Sequence, residues 1–320
     1  MALIGEHARL SIPPTGLSCL DIDATIYVND KSDATWTYQK TKGYSYMMAM
    51  LDNPRRALYG QWRPDNMSPP EGILEAIRIS LEQVPVGTIH CIRSDSAAYN
   101  HEVIHYCFEK KLFFTITADK DFAVKELMAS IKQWTKAVDA KGRDLGWEVG
   151  ETIHTMNKTH EAFRMVVKRT LRSKVQDDLF DPYIYWAVAT NLPEDQYSSQ
   201  AVIAHHEKRG NMERFIGELK WELNADHLPC NTLAPNAVFA GVVLLTFNLL
   251  YHLQDRMSES HIPHRKSMRS LRRYLLHLPA LVAWHARQMA IKIAATVSCV
   301  ELFRQVYECL LRYECFPPAC

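Results

Sequence analysis

The stretch SCLDIDATIYV, residues 18–28, decides how this chain is read. Its β-branched residues mark a strand, and successive side chains of a strand point to opposite faces. Leu20, Ile22 and Ala24 therefore turn one way, towards a core, while Asp21, Asp23 and Thr25 share the other face. Carboxylates in an apolar strand are costly unless they are paired or hold a metal. The same eleven residues thus predict both a core strand and a candidate site.

Working outward, YSYMMAML (44–51) and RALYGQW (56–62) predict two further strands, joined by the turn sequence DNPR. PPEGILEAIRISLEQVP (69–85) predicts an amphipathic helix with prolines at its start. TIHCIRSDS (88–96) is a fourth strand, HEVIHYCFEKK (101–111) a second helix and LFFTITAD (112–119) a fifth strand. An antiparallel meander followed by parallel α/β units is the ribonuclease H order. A helix over 122–138 then leads to three strands in WEVGETIHTM, HEAFRMVVKRTLR and PYIYWAVATN. Helices are expected over 199–224, 234–254, 266–293 and 298–313. The predicted class is α/β, a ribonuclease H-like mixed five-stranded sheet with a β-rich insertion and a helical C-terminal region. Its divisions are 1–121, 122–192, 193–255 and 256–320.

The chain has 320 residues, 47% hydrophobic and 23% charged, which permits a large core and argues against disorder. The net charge is +1, but Arg256 to Lys292 carries eight Lys/Arg against Glu259 alone, a local +7. A basic arm on an otherwise acidic body suits phosphate contact; a solvated helix face is the plainer reading. The eight cysteines form no C-x-x-C pair and read as buried, reduced thiols, not as disulfides or a zinc site. His205, His206, His261 and His264 read as surface or DNA-facing. Glu6, His7 and Arg9 interrupt any leader-like apolar run. The apolar run Ala237 to Leu253 falls short of the ~20 residues that a membrane span needs and reads as a buried helix, with no membrane partner.

Two more acids complete the candidate site. Asp95 stands at the C-terminal end of the fourth strand, beside the first, where open α/β sheets gather ligands. It is also a natural helix cap. In HHEKRGNMERFIGELKWEL (205–223), a wheel with Arg209 at 0° puts Glu213 at about 40°, Lys220 at about 20° and His206 at about 60°. One stripe then holds an acid flanked by basic residues, which an ordinary surface of i,i+4 ion pairs would also produce. Three carboxylates without a nucleophilic triad suit Mg²⁺, and two such ions activate an attacking oxygen and stabilise a leaving one.

LDIDAT, KGYSYMM, IRSDSAAY and HHEKRGNMERFIGELK, in that order, resemble the DDE transposases of bacterial insertion sequences. The likeness is to the branch with a Y-(2)-R-(3)-E-(6)-K signature. Arg209-(3)-Glu213-(6)-Lys220 fits its spacing, and His206 stands at the tyrosine position. The resemblance runs from about Leu17 to about residue 313. It implies that Asp23, Asp95 and Glu213 are catalytic and hold two Mg²⁺ ions, with Mn²⁺ able to substitute. Asp21 would support them from behind. His206, Arg209 and Lys220 would contact DNA, as would Arg269, Arg272 and Arg273 of the basic arm. It further implies cleavage at transposon ends, strand transfer to target DNA, a homodimer on DNA, and a cytoplasmic, nucleoid-associated location in a bacterium. The usual N-terminal end-recognition region is not expected in this chain. The alternative is therefore a truncated, catalytically silent relic that binds DNA or a full-length transposase.

Overall fold

The computed structural model describes residues 17–36, 40–64, 67–68, 70–156, 160–172, 181–259, 267–273, 277–285, 288–293 and 296–312. The chain opens with β1 (Cys19–Val28), β2 (Thr35–Trp36), β3 (Lys42–Asp52) and β4 (Arg55–Pro64). Helix α1 (Ile73–Glu82), β5 (Cys91–Ser94), α2 (His101–Glu109), β6 (Phe113–Thr117) and α3 (Phe122–Ser130) follow. Next come β7 (Thr135–Val138), β8 (Asp144–Thr155), β9 (Ala162–Leu171) and β10 (Tyr183–Thr190). The last part holds α4 (Ser199–Glu207), α5 (Gly210–Gly217), a π-helical turn (Glu218–Glu222) and α6 (Leu233–Glu259). It ends with α7 (Met268–Leu271), β11 (Ala280–His285), β12 (Gln288–Ile293) and α8 (Val297–Arg312).

Ten strands form one mixed sheet in the order β2-β3-β1-β5-β6-β10-β9-β8-β7, with β4 also paired to β3. β1 runs antiparallel to β3 and parallel to β5, and β5 parallel to β6. The expected five strands are therefore half of a larger sheet. The strands of residues 122–192 prolong it, because β10 pairs antiparallel with β6.

β3 is buried on both faces of the sheet, which explains why it reads as an unbroken apolar run. Its Met47, Ala49 and Leu51 pack with Leu20, Ile22 and α1 to α3, whereas Tyr44, Tyr46, Met48 and Met50 pack with α5 and α6. α4 lies over β8, β9 and β10 through Val202 and Ile203. By alternation, Cys19, Asp21 and Asp23 point away from Leu20 and Ile22, towards the face that carries α4 and α5.

Helix α6 covers β4. It is long and apolar enough to cross a membrane by length and composition, so the sequence-based length fell short. Its Ala240, Leu244, Phe247 and Tyr251 are nevertheless core residues. Gly60 permits the close approach, since a Cβ there would collide with the side chains of Leu244 and Tyr46. The Asn248 amide accepts from Ala57 N at 2.8 Å and donates to Ala57 O at 2.9 Å. It thereby satisfies backbone groups beside the irregularity in the β3–β4 pairing. Asn248→Ala strands both groups in the core and is expected to destabilise the fold by about 2 kcal/mol. A urea unfolding midpoint that moves by less than the equivalent of about 0.5 kcal/mol would contradict this assignment.

Three expected helices are corrected. The helix over 122–138 stops at Ser130, and Thr135–Val138 is a strand. The helix over 266–293 is replaced by α7 and the β11–β12 hairpin. Pro279 lacks the N–H that a helix would need there, and Val282, Ile291 and Ile293 favour strands. The helix over 199–224 breaks after Glu207, restarts at Gly210 and widens into the π turn. The boundary at 255/256 falls within α6. Residues 313–320 and, in the basic arm, Arg265, Lys266 and Arg287 lie outside the described residues, as do His261 and His264.

Candidate active site

The parallel register of β1 and β5 sets Cys19 against Cys91 and Asp21 against Arg93. Two residues further along each chain stand Asp23 and Asp95. Asp21 and Arg93 form a two-pronged ion pair at 2.5 and 2.8 Å, with both side chains fully buried. Arg93 also donates to Asp52 Oδ2 and to His205 O, each at 3.1 Å. Burial pushes the Asp21 carboxyl up to about 7 against the pull of Arg93. Asp21 is thus committed to joining β1 to β5 and α4, which separates it from Asp23. Sequence reasoning did not single out Arg93; an arginine inside the buried run HCIRS was its signal.

Asp23 faces the site. Its Oδ1 accepts from Ala24 N at 2.8 Å, and its Oδ2 accepts from Arg209 Nη1 at 3.1 Å. Asp95 accepts from Ala97 N at 3.1 Å and so caps the short turn Ser96–Ala98. The cap does not remove it from the site: Asp23 and Asp95 both line a cavity of about 60 Å³, with Ser45, Arg63 and Ser94. Burial first, then the charge of Asp95, raises the Asp23 carboxyl to about 6, while Arg209 lowers it. Arg63 is buried and donates to Ser45 Oγ at 3.2 Å and to the Glu71 carbonyl. It is a cationic wall that sequence reasoning missed, and its signal is an arginine within the apolar strand β4.

Glu213 is exposed on α5. Arg209 joins it to Asp23, with Nη2 3.5 Å from Glu213 Oε1. Among the described residues, the three carboxylates do not come within 4.8 Å of one another. Asp23 and Asp95 share a cavity, and Glu213 stands one guanidinium away. The Arg209 side chain is 23% exposed and stands between Asp23 and Glu213. The two carboxylates on this small cavity, Asp23 and Asp95, are an oxygen donor pair that fits Mg²⁺, which needs few protein ligands and keeps waters.

Lys220 lies along β1 from Asp23. Its Nζ donates to Thr25 Oγ1 at 3.0 Å and Ile26 O at 3.2 Å, and it sits 4.3 Å from the Tyr27 ring centroid. The π turn places it there, so the uniform 100° wheel reached the right side by the wrong path.

His206 is corrected: it is 1% exposed, not DNA-facing. Its Nδ1 meets Thr115 O at 3.1 Å and its Nε2 meets Thr117 Oγ1 at 2.9 Å. Burial, then Arg209, lowers its pKa to about 3, so the ring is neutral. The break after Glu207 turns it away from the stripe. His205 is likewise buried. Arg269 and Arg272 are spent on the end of the π turn. Arg269 N donates to Glu222 Oε2 at 2.8 Å, its Nη2 reaches Trp221 O at 3.4 Å, and Arg272 Nη1 donates to Glu222 O. They satisfy terminal carbonyls of that helix. Arg273 is exposed.

Asp23 provides a measurable consequence. Its folded pKa of about 6 exceeds the ordinary 3.8, so the folded chain holds this proton more tightly than the unfolded one. The group's contribution to stability therefore falls as pH rises from about 4 to about 6. Divalent-metal affinity should rise over the same interval, because the proton and the cation compete. Carboxyl NMR is expected to give a midpoint near 6 in the metal-free protein, higher still in Arg209→Ala. A midpoint at the ordinary value would contradict the burial and pairing described here.

A cryo-EM structure of the piggyBac transposase synaptic complex with hairpin DNA shares this fold, with a TM-score of 0.51 at 10% sequence identity. The similarity covers 94% of this chain and 55% of that one, so the chain spans about half the length of that neighbour. No curated protein matches. The family model described as transposase DDE domain group 1 matches residues 8–315, nearly the whole chain, and the protein belongs to that family.

Proposed function

We propose that this chain is the catalytic part of a DNA transposase that cleaves transposon ends and transfers them to target DNA. The observation that carries the reading is the pair Asp23 and Asp95, delivered by adjacent parallel strands to one cavity, with Glu213 linked to Asp23 through Arg209. The order β4-β3-β1-β5-β6 supports a ribonuclease H-like core in which these strand ends form the site. Asp23 and Asp95 would hold divalent cations, joined by Glu213 if Arg209 moved to a DNA phosphate. Two Mg²⁺ or Mn²⁺ ions bound there would supply polarisation of the scissile phosphate and stabilisation of the attacking and leaving oxygens. Lys220 and Arg63 flank this region with positive charge and orient the phosphate.

In the first reaction, a water oxygen bonds to phosphorus and gives up a proton to solvent, the P–O3′ bond breaks, and the departing 3′ oxygen takes a proton from solvent to become a 3′-hydroxyl. In the second, that 3′ oxygen bonds to a target phosphorus and the target strand's own 3′ oxygen leaves. Each step forms one P–O bond and breaks one. DNA is the partner, two copies of the chain act on two ends, and the setting is a bacterial insertion sequence at the nucleoid.

The test is incubation of the purified chain with supercoiled DNA carrying its element's ends. Metal-dependent nicking and joined products, both abolished by chelation, are expected. Absence of nicking at saturating Mg²⁺ and Mn²⁺, with DNA binding retained, would select the silent-relic reading.

A further inference from the structure

At the end of the β1–β5 ladder away from Asp23, Cys19 and Cys91 are register partners. His205 of α4 closes over them, with Nε2 3.3 Å from Cys19 Sγ. All three residues are buried, and their donor atoms lie within 4.8 Å of one another. Among the described residues, this is the one trio of histidine, cysteine or acidic side chains that meets that spacing. The thiols are 72 residues apart in sequence and the imidazole 114 further on, so no local spacing announces the cluster.

We propose that Cys19, Cys91 and His205 form a structural site for a soft, thiolate-preferring metal ion of the zinc class. Zinc bonds of ~2.3 Å to sulfur and ~2.0 Å to nitrogen set tetrahedral donor pairs roughly 3.3–3.8 Å apart. The trio reaches that spacing by small side-chain movements, and water supplies the fourth ligand. His205 Nδ1 is buried with no hydrogen-bond partner among the described residues, so the Nε2–sulfur contact is the ring's polar tie, beside an edge-to-face contact with Tyr197. Two thiolates and a neutral imidazole balance a divalent ion, and nearby Arg93 is already matched by Asp21 and Asp52. Binding displaces the thiol protons to solvent and changes no oxidation state. Oxygen-preferring Mg²⁺ does not compete here, just as a soft ion is not favoured at Asp23 and Asp95. The ion ties α4 to the sheet one helical turn before Arg209. This inference stands independently of the transposase reading.

The test is titration of the reduced, metal-stripped full-length chain with Co²⁺ and Zn²⁺. Expected results are one ion per chain, a thiolate-to-cobalt charge-transfer band with tetrahedral d–d bands, and a higher melting temperature with zinc. Cys91→Ser and His205→Gln should each weaken zinc binding by at least ~100-fold, on the scale of losing a ligand or its support. Cys107→Ser, buried outside the trio, should bind normally. Asp23→Asn with Asp95→Asn should keep the charge-transfer band, since carboxylates give none. If the cysteine variant does not fold, zinc protection of Cys19 and Cys91 from alkylation in the wild-type chain reads the same site. No thiolate band, no such protection, unchanged binding in a folded Cys91→Ser, or a Cys19–Cys91 disulfide in place of an ion would each overturn the proposal.

Discussion

Arg93→Leu is expected to lower the unfolding free energy by about 3–5 kcal/mol, the cost of stranding one member of a buried ion pair. The Asp21 carboxylate would lose both prongs of its partner in a region with no exposed surface, and Asp52 and the His205 carbonyl would each lose a donor. Asp21 has no water to turn to, so it must take up a proton or the strands must part, whereas Asp52 is partly exposed and keeps some solvent. Asp21→Asn is expected to cost less, because an amide oxygen still accepts from the guanidinium while Asp52 continues to balance its charge. Equilibrium unfolding in urea measures both variants. A loss below about 1 kcal/mol in Arg93→Leu would mean that the pair does not join β1, β5 and α4 in solution.

The second large effect concerns chemistry. Asp23→Asn and Glu213→Gln are each expected to reduce metal-dependent DNA cleavage by ~10²–10³-fold, the scale of losing one electrostatic contact to a transition state. DNA affinity should change by no more than about twofold. Both substitutions keep shape and remove charge, so packing is preserved. Asp23→Asn should also raise stability at neutral pH, because it relieves a buried charge repelled by Asp95. Glu218→Gln is the informative contrast. Glu218 lies on the same helical segment but is buried, bonded to the Tyr251 hydroxyl at 2.6 Å. Its loss should affect folding and leave single-turnover cleavage within about twofold. Equal activity in wild type and Glu213→Gln would remove Glu213 from the mechanism, however close Arg209 brings it to Asp23.

The strands of the first half were legible because their signals are local. SCLDIDATIYV alternates, YSYMMAML is continuously apolar, and DNPR turns the chain between two runs. Those patterns placed β1, β3, β4, β5 and β6 within a few residues of their observed ends. Asp23 and Asp95 lie side by side because the parallel register that pairs Ile22 with Ser94 carries on by one residue, and the alternation of β1 and its neighbour suggested that pairing. The basic arm misled because Lys and Arg are compatible with either helix or strand. There, Pro279 carried more information than the charge pattern.

By itself, then, the sequence determined the five strands of the first half, which face of β1 carries acids, and that Arg209, Glu213 and Lys220 share one largely helical stretch, though not the break and π turn within it. Only the tertiary structure decided that His206 is a core residue, that Asp21 belongs to Arg93, and that Cys19, Cys91 and His205 meet. Periodicity reports how a segment divides water from core, and that division is set by nearest neighbours along the chain. Which charges become partners depends on what lies across the sheet, 72 or 186 residues away for Asp21–Arg93 and Asp23–Arg209, and no local repeat encodes that distance.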